Sequence, residues 1–212
     1  PWLPSHWNAE QKGMVGGKEF DDEAKHFINQ RIRDLAEYTA KYLQDLNLEV
    51  EYEYGNAIHK QYLNRYLEPF LPTIQLVTAT DWDNFFKLRT ANDAQPEIRD
   101  VAVKMKELMF KHEPTQTSVH IPYLKEDEYK NEDVKTKLCV SVARCARVSY
   151  SQPHTDYDIS KDLDLCKRLW KNGHMSPFEH IAFHAPGRHE NLHNWQSLRS
   201  ALAEDKFTSY FD

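Results

Sequence analysis

The sequence predicts an α+β fold on three observations. Ile28, Ile32, Leu35, Ala36, Thr39, Leu43 and Leu46 recur at helical spacing, and similar periods return later in the chain. Short runs of strand composition lie between such stretches, at Thr73–Ala79, Val119–Tyr123 and Phe178–Ala185. A hydrophobic share of 40% and an aromatic share of 12% over 212 residues provide for a real core.

Residues 1–20, rich in Pro, Gly and Trp, read as an irregular lead-in. Gly13-Met-Val-Gly-Gly-Lys18 is a turn, because Glu19 stands where a phosphate loop needs Ser or Thr for magnesium. Asp21 or Asp22 starts the first long helix, its carboxylates suited to the positive N-terminal end. A second helix is expected over residues 57–68, stopped by Pro69. Thr80-Asp-Trp-Asp83 has the form of an N-cap for a short helix carrying Phe85, Phe86 and Leu88.

Pro96 suits the first position of another helix, with Ile98, Val101, Met105, Leu108 and Met109 as its buried stripe. Residues 113–134 are polar, hold Pro114 and Pro122, and read as a surface connection. A helix should follow over 137–148. Ser160 should cap the next, which runs through Trp170 and ends at Gly173. The tail over 190–204 is expected to be helical, with Leu192, Trp195, Leu198 and Leu202 on one side.

A net charge of -6 argues against a partner that is a nucleic-acid polymer or a membrane surface, though a few local arginines suffice for a small anion. No apolar run approaches the roughly 18 residues of a membrane span. Cys139, Cys145 and Cys166 form no C-x-x-C pair and are odd in number, the pattern of reduced thiols in a cytoplasmic protein. The opening Pro-Trp-Leu-Pro reads as a chain that lacks upstream residues.

The stretch from Ala143 to His184 gathers Arg, Ser, His and Glu around Gly173 and Pro177, a mixture that a core element does not need. His174 follows a helix-ending Gly and precedes Ser176-Pro177, so it can donate to a ligand from a constrained loop. His180 and His184 read as histidines lining a sheet or cleft. His189-Glu-Asn-Leu-His193 matches the zinc-peptidase pattern H-E-x-x-H, but Gln196 and Arg199 occupy the extended motif's positions, so a polar helix start is preferred and no metal is expected. Arg65 and Arg89 suit an anionic or carbonyl-rich ligand through the guanidinium fork, and equally suit the carboxyl end of a helix.

Taken together, these pieces resemble the flavin-dependent thymidylate synthase (ThyX) family. Ala146-Arg-Val-Ser-Tyr150, followed by Gly173-His-Met-Ser-Pro-Phe-Glu-His180, is similar to that family's opening segment. Arg65-Tyr-Leu-Glu-Pro69 and Asn84-Phe-Phe-Lys-Leu-Arg89, followed by Ala94-Gln-Pro-Glu-Ile98, are similar to its closing segment. The order is reversed, as in a circular permutation, and resembles phage-type members. The family's R-H-R-x7-S block is absent, and in a permuted chain it would precede Pro1. Asp93 stands where members often carry His.

The resemblance implies a single domain over 1–212 with a central, mostly antiparallel twisted sheet flanked by helices. Residues 1–112 would be the family's closing half, 113–134 a connection and 135–212 the opening half. It implies FAD as cofactor, with NADPH and methylenetetrahydrofolate as co-substrates in the reductive methylation of dUMP to dTMP. Ser149, His174, Ser176, Glu179 and Asn84 map near the flavin, Arg65 and Arg89 map onto nucleotide-holding arginines, and His174 and Arg89 take the catalytic places. A homotetramer with shared active sites and a cytoplasmic location (host cytoplasm if viral) are implied as well. Two other readings stay open: a related flavin and folate enzyme making another 5-substituted pyrimidine nucleotide such as hydroxymethyl-dUMP, and a catalytically silent flavin- or nucleotide-binding homologue.

Overall fold

The computed structural model describes residues 3–4, 6–10, 16–124, 129–148 and 158–211. Among them are seven α-helices and one three-stranded antiparallel sheet, an α+β fold. The chain forms two compact units, one of Pro1–Thr73 with Phe85–Lys111, the other of Ile74–Asn84 with His112–Asp212.

The first unit is helical. α1 spans Asp22–Tyr54, where Asp21 accepts from the Ala24 amide at 2.9 Å and Gly55, at φ 73°, closes the far end. The aspartate cap and the left-handed glycine are both local signals, and the start falls where the sequence puts it. α2 is shorter than expected, Lys60–Leu67, and passes into a 3₁₀ turn Glu68–Phe70, since Pro69 removes a backbone donor. α3 is Asp83–Arg89, and α4 is Pro96–Lys111 with Pro96 leading as expected. The predicted buried stripe of α4 is not buried: Ala102 is its buried residue, while Val101, Leu108 and Met109 are exposed.

The second unit holds the sheet and a dense core. α5, Val134–Arg147, is buried continuously from Leu138 to Cys145. Such burial on all sides marks a central helix, and its polar members find partners. Ser141 Oγ donates to the Pro122 carbonyl at 2.7 Å, and Arg144 Nη1 donates to the Tyr123 carbonyl at 2.6 Å. α6, Ile159–Lys171, packs beside it. Its cap is Asp158, not Ser160: the Asp158 carboxylate accepts from the Ser160 and Lys161 amides, so Ser160 falls inside the helix. Phe178, Trp170 and Phe211 meet with ring centroids 5.5 to 6.2 Å apart and seal the lower core.

The strands depart most from expectation. β1 is only Val119–His120, β2 is Ala182–His189 and β3 is Leu192–Ser197, in the order β1-β2-β3. Residues 176–180 form a 3₁₀ helix rather than a strand, because Pro177 pre-sets a helical φ and Phe178 anchors in the core. The expected tail helix is instead β3 followed by α7, Leu198–Ala203, which starts only where Ser197 Oγ accepts from the Ser200 amide at 3.0 Å. His189 and His193 thus stand on two strands of a hairpin with Glu190 at φ 53°, and the helical geometry of H-E-x-x-H does not arise.

Thr73–Ala79 has strand composition but joins no ladder. It keeps the two-residue period: Leu76, Thr78 and Thr80 are part-buried while Gln75, Val77 and Ala79 are exposed. Its anchors are side chains. Thr78 Oγ1 lies 3.1 Å from His180 Nδ1, and Thr80 Oγ1 accepts from the His193 amide at 2.9 Å. That second bond takes the hydroxyl expected to cap α3.

Candidate functional site

α6 ends in a motif that positions His174. Gly173 adopts φ 68°, its amide donates to the Trp170 carbonyl at 3.0 Å, and the next amide, of His174, donates to the Leu169 carbonyl at 2.9 Å. This paired closure is the Schellman arrangement, which the Gly makes accessible without Cβ strain. His174 therefore leaves the helix in a fixed direction. Two residues later the 3₁₀ helix begins, with Phe178 wholly buried as its anchor.

These elements border a cleft of ≈ 570 Å³ in the second unit. His174, Ser176, Pro177 and His180 form one side, and the end of α5 from Cys145 to Val148 another. Leu165 and Leu169 of α6, with Ile74–Leu76 of the unpaired extended segment, complete it. An apolar lining with a few polar groups and this volume suits a small molecule with a flat apolar body.

The electrostatics of the lining separate its members. His180 is half-buried and held below the usual histidine range, chiefly by desolvation, with His120 acting in the same direction and Glu179 opposing. It is neutral at pH 7 and shares a hydrogen bond with Thr78. Burial pushes the Cys145 thiol up to about 12, so its sulfur contributes apolar surface rather than a thiolate.

Arg147 is held from below by Asp162, which is wholly buried in α6 and accepts from Arg147 Nη1. The second Asp162 oxygen lies 3.6 Å from Arg144 Nε, an ion-pair distance that is too long for a hydrogen bond. Arg144 also donates to the Tyr129 hydroxyl, and its guanidinium lies 5.0 Å from the centre of that ring.

Of the residues expected at a site, His174 and Ser176 meet on this cleft. Glu179 shares the 3₁₀ helix but accepts from Arg199 Nη1 at 2.8 Å and is not part of the lining. Asn84 is exposed in the first turn of α3, within the second unit. Arg65 and Arg89 belong to the first unit, each exposed in the last turn of its helix, with the Arg65 guanidinium 5.8 Å from the Tyr62 ring centre. Ser149 lies outside the described residues.

Arg147 and Ile74–Leu76 line the cleft without having been singled out for it, and His180, read from the sequence as lining a sheet or cleft, lines it as well. Arg147 carried a signal, as a charged residue in the motif Ala146-Arg-Val-Ser-Tyr150. The role of Ile74–Leu76 depends on a fold-back that no local pattern announces. Among the described residues no group of His, Cys, Asp and Glu is placed to hold a metal ion, and no helix is long and apolar enough to cross a membrane.

Residues 73–115 match a family model described as Thy1, thymidylate synthase complementing protein. That segment contains the Ile74–Leu76 wall of the cleft, Asn84 and Arg89. No curated protein and no solved structure gave a match.

Proposed function

We propose that the chain, whose residues 73–115 match the family model of the thymidylate synthase complementing protein, is a flavin-dependent thymidylate synthase. It would convert dUMP to dTMP, with methylenetetrahydrofolate as carbon donor, NADPH as reductant and FAD as cofactor. The observation that carries this reading is the meeting of His174 and Ser176 on one cleft with the Arg147 motif and a wall from the matched segment.

The residues present fit a flavin ring. Leu76, Val148, Leu165, Leu169 and Pro177 offer apolar contact, and the Ser176 hydroxyl, the His174 imidazole and the Arg147 guanidinium offer polar contacts at its edges. When bound, a flavin supplies the hydride chemistry that no side chain can provide. The chain's own work is to bind, orient and polarise. His174, exposed on its Schellman turn, is placed to donate a hydrogen bond to a carbonyl of ligand or substrate. Arg65 and Arg89 would hold the phosphate or uracil oxygens of the nucleotide, each contact contributing about 1.5–3 kcal/mol. Asn84, Glu179 and Ser149 complete the proposed flavin set, and a cytoplasmic homotetramer with shared sites is the assembly this reading entails.

The test is reconstitution of the chain with FAD, followed by incubation with dUMP, methylenetetrahydrofolate and NADPH and mass analysis of the nucleotide. A gain of one methyl group supports the reading. A hydroxymethyl product would reassign the reaction within the same chemistry, flavin binding without turnover would mean a silent homologue, and the lack of any bound-flavin spectrum would refute the proposal. Arg89→Ala should raise the dUMP Kd by at least tenfold, and unchanged affinity would remove Arg89 from the nucleotide set.

A further inference from the structure

The chain enters the second unit at Ile74 and leaves it at Asn84, with the first unit on either side in sequence. The crossing is extended, and a period of two puts Ile74, Leu76, Thr78 and Thr80 on one face. The two apolar members of that face line the cleft, and the two threonines make hydrogen bonds. Thr80 Oγ1 accepts from the His193 amide of β3. Thr78 Oγ1 shares a hydrogen bond of 3.1 Å with His180 Nδ1, and His180 belongs to the side of the cleft that carries His174 and Ser176. One side-chain bond therefore joins two sides of the cleft.

The two ends of that bond differ in firmness. His180 closes its 3₁₀ helix between Phe178 and Ile181, neither of which has exposed surface, so its backbone is held. The Ile74–Leu76 wall has no ladder to hold it: Leu76 packs on the core, while Ile74 and Gln75 are exposed. A ladder would draw two backbones to about 4.8 Å and close the gap between them, whereas a bond between two side chains holds them apart and leaves room. Thr is restricted at χ1, so its hydroxyl is aimed with little loss of freedom. Val has a similar shape and suits extended backbone as well. The hydroxyl is what Thr adds at this position.

We propose that Thr78 and His180 are positioning residues of the cleft: their hydrogen bond ties the Ile74–Leu76 wall to the side bearing His174 and Ser176 and sets the gap into which a flat ring fits. The identity of that ring rests on the flavin reading, and the tie rests on the geometry of the pair.

FAD is titrated by fluorescence quenching into the whole chain as wild type, Thr78→Val, Thr78→Ser, Thr80→Val, His180→Leu and Thr78→Val/His180→Leu. Expected are a Kd raised about fivefold or more in Thr78→Val and in His180→Leu, recovery to within about twofold of wild type in Thr78→Ser, and a double variant no weaker than the weaker single one. Thr80→Val removes the other anchor of the same run, outside the cleft lining, and should change Kd less than about twofold. Equal losses in Thr78→Val and Thr80→Val, no recovery with Ser, or additive losses in the double variant overturn the proposal. Thermal unfolding of the same proteins without flavin gives a second cycle. If wild type binds no FAD, the flavin reading fails and this cycle decides the tie by itself: coupled substitutions uphold it and additive ones overturn it. If FAD binds equally to every protein, the flavin reading stands and the positioning role falls. Circular dichroism of each variant establishes that the fold is retained.

Discussion

Replacing Asp162 with Asn keeps the shape of the side chain and removes the charge that α5 relies on. The Arg144 guanidinium would remain almost wholly buried, with the Tyr123 carbonyl and the Tyr129 hydroxyl as acceptors but no counter-charge from Asp162. Breaking a buried ion pair from one side costs about 3–5 kcal/mol, since the surviving charge stays desolvated. Arg147 adds less: at 26% exposure it can turn to water, so its share falls in the surface range, up to about 1 kcal/mol. A total loss of about 3–6 kcal/mol follows, equivalent to a fall of roughly 10–20 °C in Tm for a chain of this size. Thermal unfolding of Asp162→Asn should be compared with Asp164→Asn, an exposed carboxylate on the same helix for which a change within about 0.5 kcal/mol is expected. If the two variants melt together, the buried carboxylate does not hold α5 to α6 and the account of Arg147 falls with it.

Acid should destabilise the second unit through its histidines. Partial desolvation holds His180, half-buried, and the ring of His120, on a residue that is exposed overall, below the ordinary histidine value of about 6.5, so just below that pH the unfolded chain binds more protons than the folded one. Stability is fully present above about 6.5 and is lost as pH falls through the depressed folded values; an unaltered Tm–pH slope in His120→Gln/His180→Gln would contradict this. The thiols should resist alkylation at pH 8 in the folded state, Cys145 most of all because burial raises it and Cys166 because its hydrogen bond with Cys139, and then burial, raises it, while Cys139 should react first because that same hydrogen bond lowers it. Mass analysis after timed iodoacetamide exposure gives the order, and Cys145 labelling ahead of Cys139 would reverse it. Gly173→Ala should cost about 1–2 kcal/mol in urea unfolding. The left-handed backbone is strained by a Cβ, although no atom lies within 4 Å of where that carbon would stand. A neutral result would mean that the turn carrying His174 relaxes freely.

What the sequence by itself determined is the part of the fold governed by neighbours within a turn of helix. Asp21, Pro96 and Gly173 are read directly as helix ends because a cap, a fixed φ or a left-handed residue acts on backbone groups a few positions away. His174 and Ser176 were legible for that reason, since a glycine and a proline bracket them in the chain. The tertiary structure decided whatever depends on partners far along the chain. Thr73–Ala79 has the composition and period of a strand, but its anchors, His180 and His193, are 102 and 113 residues from Thr78 and Thr80, and they offer a side chain and a single amide rather than a ladder edge. Leu192–Ser197 carries apolar residues at spacings that also suit a helix, and pairing with β2 settled it as a strand. Asp162 reads as one more polar residue of α6, and only the packing of α5 across it makes it a buried counter-charge. Local hydrogen bonds follow from sequence spacing, whereas sheet pairing, burial and the walls of a cleft follow from which distant segments displace the same water.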